Sequence, residues 1–261
     1  MVPVLSIVFM AVAGLTAFAL AFGLLLYFRI SKKADIAPFF VGCAVMILFA
    51  FVLERIFHSV ILGSPAGAVI QGNTWLYALY GGLMAGLFEE TGRFLAFRTV
   101  LRKYQGKNVN ALMYGAGHGG IEAVVLLGIT SINNIIYSVF INSGQTARLT
   151  TGLTGDALAQ VESAIEQLKA YPSAMFLLGG VERIFAVVLQ ISLSILVWTA
   201  VKKNKRFLYP AAILIHLFVD AITVVLAASG VSTYILEGVV GILAIWALMI
   251  AKIVWKKELT E

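Results

Sequence analysis

Charge is scarce in this chain. Only 12% of its 261 residues are Asp, Glu, Lys or Arg, about half the share of a typical soluble domain. Cysteine is scarcer still. The single Cys43 rules out an internal disulfide and any thiolate-built zinc cluster, and in its apolar surroundings it reads as a small core residue. What the chain has in abundance is apolar surface: 61% hydrophobic residues and a mean hydropathy of +0.96. This is the composition of an integral membrane protein. A net charge of +6 would suggest a nucleic-acid partner in a soluble protein. Here the basic residues cluster between apolar runs, so the charge reads as a topology signal and no nucleic-acid partner is expected. The N-terminal stretch has no basic n-region and stays uncharged from Val2 to Phe28, which reads as a retained first transmembrane helix rather than a signal peptide.

Seven apolar segments, near 3–28, 37–62, 75–101, 109–130, 173–201, 208–228 and 233–255, reach the ~20 residues that a hydrocarbon core of ~30 Å requires. The expected fold is therefore all-α, a polytopic transmembrane helix bundle forming one integral membrane domain over 1–261. The fourth segment stays apolar to Asn142 but carries Ser131, Asn133 and Asn134, so a break or re-entrant turn is expected near Gly128–Asn134. Every second loop is basic: Arg29, Lys32 and Lys33; Arg98, Arg102, Lys103 and Lys107; Lys202, Lys203, Lys205 and Arg206; Lys256 and Lys257. The loop from Gly63 to Asn73 has no charge. That alternation predicts an outside N-terminus and a cytoplasmic C-terminus, in a multi-pass protein of the cell membrane. In the long loop 143–172, Leu158, Val161, Ile165 and Leu168 repeat at helical spacing opposite Glu162, Glu166 and Lys169. They predict an amphipathic helix on the outer surface, covering the span ends or, on a sharper reading, closing over a cavity.

The informative residues are ionisable groups inside spans. Glu89, Glu90 and Arg93 lie in span 3, His118 and Glu122 in span 4, and His216 and Asp220 in span 6. Each centrally placed charge costs ~2.5–3.5 kcal/mol in a membrane helix, so a compensating role is required. Counted from the basic ends at ~1.5 Å per residue, Glu89, His118, His216 and Asp220 fall roughly 12–18 Å deep, at one level near the membrane middle. Arg93 can reach either glutamate at i,i+3 or i,i+4 spacing. Adjacent glutamates point about 100° apart, so one can act while the other orients it. A carboxylate in a nearly dry site, with imidazoles able to donate, provides the parts of a water-activating hydrolytic centre. A second group, Glu54–Arg55 and Glu182–Arg183, falls roughly 26–28 Å up. These pairs are expected to neutralise each other across a helix interface, or else to line the outer wall of the cavity as supporting residues.

EETGR in span 3, YGAGH in span 4 and HLFVD in span 6 resemble the three-part motif set of the CAAX-protease and bacteriocin-processing group of intramembrane proteases, and within it the YhfC branch of bacterial membrane peptidases. The resemblance covers spans 3 to 6 and implies a glutamate-dependent intramembrane endopeptidase acting on a membrane-embedded or lipidated protein or peptide. Carried over, Glu89 would activate water, His118 would hold it or stabilise the intermediate, His216 and Asp220 would form the oxyanion side, and Glu90 and Arg93 would orient and balance charge. Two departures stand out. EETGR has two residues between the second Glu and Arg where the better-known CAAX enzymes have three, and Asp220 replaces a frequent Asn. An ionised Asp cannot donate to an oxyanion, so Asp220 must be protonated or must orient His216.

No HExxH occurs, and Glu89 precedes His118 by 29 positions. No single helix supplies a compact chelating motif, which favours a metal-free site with no cofactor. The zinc alternative would use His118, His216 and Glu89. Two other classes are open at this point: a proton- or ion-coupled transporter using the same residues as a relay, and a non-catalytic membrane scaffold or immunity protein with buried ion pairs.

Overall fold

A computed structural model describes residues 1–260. Among them every regular element is a helix: α1 (Val4–Ile30), α2 (Ala37–Leu62), α3 (Pro65–Gln71), α4 (Thr74–Arg98), α5 (Val109–Asn142), α6 (Ala147–Thr150), α7 (Gly155–Ala170), α8 (Ser173–Lys202), α9 (Leu208–Ala228) and α10 (Thr233–Glu258). Six of them, α1, α2, α5, α8, α9 and α10, are long and apolar enough to cross a membrane. The third of the seven expected spans corresponds to α4, which has 25 residues but carries Glu89, Glu90 and Arg93 in its second half. Large apolar side chains face outward along the rods, among them Val60, Leu214, Ile242 and Ile253, each more than 60% exposed. That inside-out distribution is what a lipid solvent requires.

Helix α8 is the axis of the bundle. Two thirds of its apolar window is buried, against a third or less for the other candidate spans, and α1, α4, α5, α9 and α10 all pack on it. At one end of the bundle Phe97 stacks edge-on against Tyr114 and Trp198, at 4.6 and 5.0 Å between ring centres. The basic segments meet at this same end. Lys107 Nζ donates to Asp35 at 2.7 Å, Lys202 Nζ to Asn108 at 2.6 Å, and Asn108 in turn to the Leu259 carbonyl at 2.6 Å. Hydrogen bonds from Lys107 and Asn110 hold the Asp35 carboxyl below the usual carboxylate range. The basic loops thus gather at one end of the bundle.

The expected interruption near Gly128–Asn134 is absent. Helix α5 runs unbroken for 34 residues and accommodates the polar stretch with a π-helical segment over Val124–Ile129. The polar groups are absorbed without a turn: Ser131 is buried against Gly14 of α1, and Ser138 Oγ returns a hydrogen bond to the Asn134 carbonyl at 2.7 Å. At ~1.5 Å per residue α5 extends roughly 50 Å, well beyond a ~30 Å hydrocarbon core. Its projecting end carries α7. The apolar stripe of α7 is as predicted, with Ile165 and Leu168 buried against Val2, Met10 and Ile141. Asn142 secures this cap by bonding both the Val2 amide and carbonyl, at 2.7 and 2.9 Å. The amphipathic helix therefore covers span ends, and none of its residues lines the interior cavity described below.

Glycine allows the closest approaches. A Cβ on Gly117 would lie 2.0 Å from the Phe39 carbonyl oxygen of α2, and one on Gly82 would lie 2.5 Å from the Leu217 carbonyl oxygen of α9. Because the obstruction is backbone, no rotamer change relieves it. Gly117→Ala is expected to destabilise the fold by about 1–3 kcal/mol or more, whereas Gly23→Ala, which meets nothing within 4 Å, should be neutral or slightly stabilising. Thermal unfolding of the two variants in detergent compares them directly.

Candidate active site within the bundle

The site begins with a charge that cannot leave the interior. Arg93 is fully buried, and one guanidinium nitrogen donates to both oxygens of Glu90, at 2.7 and 2.8 Å. Its other terminal nitrogen donates to Gln190 Oε1 on α8. Of the two glutamates within helical reach, Arg93 therefore takes the nearer, i,i+3 partner. Glu90 also accepts from His216 Nδ1 of α9 at 2.9 Å. With Nδ1 assigned as the donor, His216 Nε2 is left as an open acceptor.

Glu89, about 100° around the same helix, faces the cavity instead. Its Oε2 accepts from His118 Nε2 of α5 and from Gln190 Nε2, both at 2.9 Å. Its Oε1 lies 4.0 Å from His216 Nε2, and Asp220 Oδ2 lies 3.6 Å from that same nitrogen. One oxygen of Glu89 is thus held by two donors, while the other shares an opening with an imidazole nitrogen and a second carboxylate. This space belongs to a cavity of about 310 Å³ bordered by α4, α8, α9 and α10, with Glu122 of α5 also in its wall. All six residues expected at the centre, Glu89, Glu90, Arg93, His118, His216 and Asp220, belong to one connected cluster.

Of the supporting residues, Glu122, Glu182 and Arg183 line the cavity, as the second of the two expectations has it, while the expected pairing across helices does not form. Arg183 does not neutralise Glu54. It donates to Glu122 at 2.8 Å and to its own neighbour Glu182. Glu54 instead bonds His58 Nε2 at 3.1 Å, His58 Nδ1 meets the Tyr80 hydroxyl at 2.8 Å, and Arg55 is exposed. The reason is topological: α2 packs on α4 and α5 and makes no extensive contact with α8. Nor are the two groups of charges separate. Gln190 Nε2 also donates to Glu122 at 3.1 Å, so a chain of contacts runs from Glu89 through Gln190 to Glu122, Arg183 and Glu182. Sequence reasoning missed Gln190. Its signal is an amide inside an apolar 30-residue helix, a group that needs partners in a membrane interior.

The donor set bears on metal binding. Glu89, Glu90, Glu122, Glu182 and Asp220 supply five carboxylates against the guanidiniums of Arg93 and Arg183, an excess of acid that calls for a cation or for protons. Among the described residues, no three His, Cys, Asp or Glu side chains stand at metal-ligand spacing. The residue types nevertheless fit zinc. His216 is oriented through Nδ1 by a carboxylate, as metal-ligating imidazoles usually are. Its Nε2 faces two carboxylate oxygens at 3.6 and 4.0 Å, somewhat wider than the roughly 3.3 Å between two tetrahedral ligands of one zinc ion.

Fold and site together define a polytopic helical membrane protein with a buried Glu–His–Asp centre. A family model described as YhfC intramembrane metalloprotease matches residues 16–241, a stretch containing every residue of the charged cluster. The chain is also 38% identical over 213 residues, 81% of each chain, to the uncharacterized membrane protein YhfC of Bacillus subtilis (strain 168). It belongs to the YhfC family. No solved structure matches it. The family's description does not support the preference for a metal-free site.

Removing one member of the buried ion pair tests the electrostatic framework. Arg93→Met should destabilise the protein by about 3–5 kcal/mol, because Glu90 is left without its counter-charge. The double variant Arg93→Met/Glu90→Leu should recover part of that loss. Chemical denaturation in detergent measures both through a double-mutant cycle.

Proposed function

We propose that this protein is an intramembrane endopeptidase hydrolysing a peptide bond of a membrane-embedded or lipidated protein, with the nucleophilic water between Glu89 Oε1, His216 Nε2 and Asp220 Oδ2. The observation that carries this reading is the asymmetry of Glu89: one oxygen held by two donors, the other turned into the cavity toward an imidazole nitrogen. A carboxylate oriented in this way needs little reorganisation to receive a ligand or a proton. The likeness of EETGR, YGAGH and HLFVD to the CAAX-protease group supports the same reaction class.

The family description and the acid excess favour a metal-dependent centre, with His216, Glu89 and His118 as a His₂–carboxylate donor set in which His118 Nε2 would exchange its hydrogen bond to Glu89 for the metal. Bound zinc would acidify the attacking water and polarise the scissile carbonyl. The rest of the chemistry belongs to the chain. Glu90 fixes the His216 tautomer through Nδ1. Gln190 keeps Glu89 aimed at the cavity. Asp220, the most accessible of the central carboxylates with its side chain about one third exposed, receives the proton from water and returns it to the leaving amine. In a metal-free centre Glu89 takes that proton-accepting role. The arginines and lysines of the basic end support a cytoplasmic position for it, with the N-terminus outside.

Glu89→Gln should lower cleavage of a fluorogenic transmembrane peptide in proteoliposomes by roughly 10²–10⁴-fold and leave the unfolding midpoint nearly unchanged. Cleavage by that variant at the wild-type rate would remove Glu89 from the mechanism. Activity lost to a membrane-permeant zinc chelator and restored by zinc identifies the metal form, and chelator-resistant activity identifies Glu89 as the base. Proton- or ion-dependent flux without cleavage would replace the protease reading with transport.

A further inference from the structure

A second cavity lies outside the candidate active site, at the basic end of the bundle, with a volume of about 740 Å³. That falls within the ~300–1,000 Å³ of ordinary ligand pockets. Three guanidinium side chains line it from three separate segments: Arg98 at the last turn of α4, Arg102 in the following short helical turn, and Arg206 between α8 and α9. No carboxylate lines it among the described residues. Glu258, the acidic group that pairs with a lysine of the α8–α9 loop, is engaged by Lys205 at 3.5 Å. Like charges brought together without a counter-ion repel one another, so their convergence calls for an anion.

The cavity wall is also built rather than merely basic. Asn204 adopts a left-handed backbone conformation, φ 54°, and from there its Oδ1 accepts from Arg206 Nε at 3.1 Å, which aims the guanidinium. Phe94 and Tyr209 form an aromatic pair with ring centres 4.7 Å apart. The Tyr209 hydroxyl is tied to Thr91 at 2.8 Å, and Arg98 lies 5.8 Å over the Phe94 ring. The Gln105 amide is held by the Phe97 carbonyl at 2.9 Å. Next to this polar mouth, Val100 and Phe207 are each at least 60% exposed, as side chains meeting acyl chains would be. Arginine rim, aromatic wall and adjoining lipid-facing apolar residues match a phosphate-bearing headgroup with tails beside it.

We propose that Arg98, Arg102 and Arg206 form a phosphate-binding site for the headgroup of an anionic phospholipid in the leaflet at the basic end of the bundle. The site is independent of the proteolytic reading and stands whether or not the cavity around Glu89 cleaves peptides.

The test is saturable lipid binding to the full-length protein by native mass spectrometry, with phosphatidylglycerol against phosphatidylcholine, and inorganic phosphate as the soluble arm. The expected result is preferential retention of phosphatidylglycerol, undiminished by millimolar phosphate. Binding should weaken roughly fivefold for each Arg→Gln change and roughly a hundredfold in R98Q/R102Q/R206Q. If the triple variant does not fold, the three single variants carry the comparison. Phosphate binding that depends on the same arginines, without a lipid preference, retains the site and assigns it to a soluble phosphate compound. The matched variant K32Q/K252Q/K257Q removes equal charge elsewhere on the chain. Equal weakening in that variant, or no binding of either probe, overturns the proposal.

Discussion

The interior of this protein is organised around Arg93, a guanidinium with no exposed surface in the middle of a helix bundle. In a lipid solvent such a charge must be neutralised by neighbours or not be present. Glu90 supplies the counter-charge from one turn away, and Gln190 takes the remaining terminal nitrogen from α8. Both partners carry further bonds, Glu90 to His216 and Gln190 to Glu89 and Glu122. The orientation of α4 against α8 and α9 is thus tied to the orientation of the cavity residues, so stability and site geometry rest on the same set of bonds.

The arrangement explains the different fates of two neighbouring glutamates. Their ~100° separation on the helix sends Glu90 into the packed interior, where it is fully buried between Arg93 and His216, and turns Glu89 toward the cavity. Glycines make this packing achievable. Helix α5, which bonds α4 through His118 and Glu89, also lies with its backbone close against α2 at Gly117. The acid excess that results suits a site that takes up a cation or protons during its work.

The amino-acid pattern alone was enough for the membrane class, the all-helical architecture and the amphipathic stripe of α7, and it singled out six ionisable residues that the structure brings into one cluster. Hydropathy and helical spacing are local properties, and a charge in an apolar run stands out wherever the chain carries it. It failed where the outcome depended on which helices are neighbours. Glu182–Arg183 and Glu54–Arg55 look alike as dipeptides, yet one joins the cavity while the other divides between His58 and solvent, because α2 and α8 are not in extensive contact. The polar stretch of α5 suggested a break, but buried Ser131 and a π-helical segment keep the helix continuous.

Gln190 marks the boundary between these two kinds of information. Its presence in an apolar helix is visible in one dimension, and so is its need for partners. That it joins Glu89, Glu122 and Arg93 depends on three helices meeting at one level, which side-chain packing across the bundle decides. Residue type is enough to say which side chains must be satisfied inside the membrane, since burial energy follows from it. Which group satisfies which is a matter of helix packing, because hydrogen bonds and ion pairs act over about 3 Å and packing sets that distance.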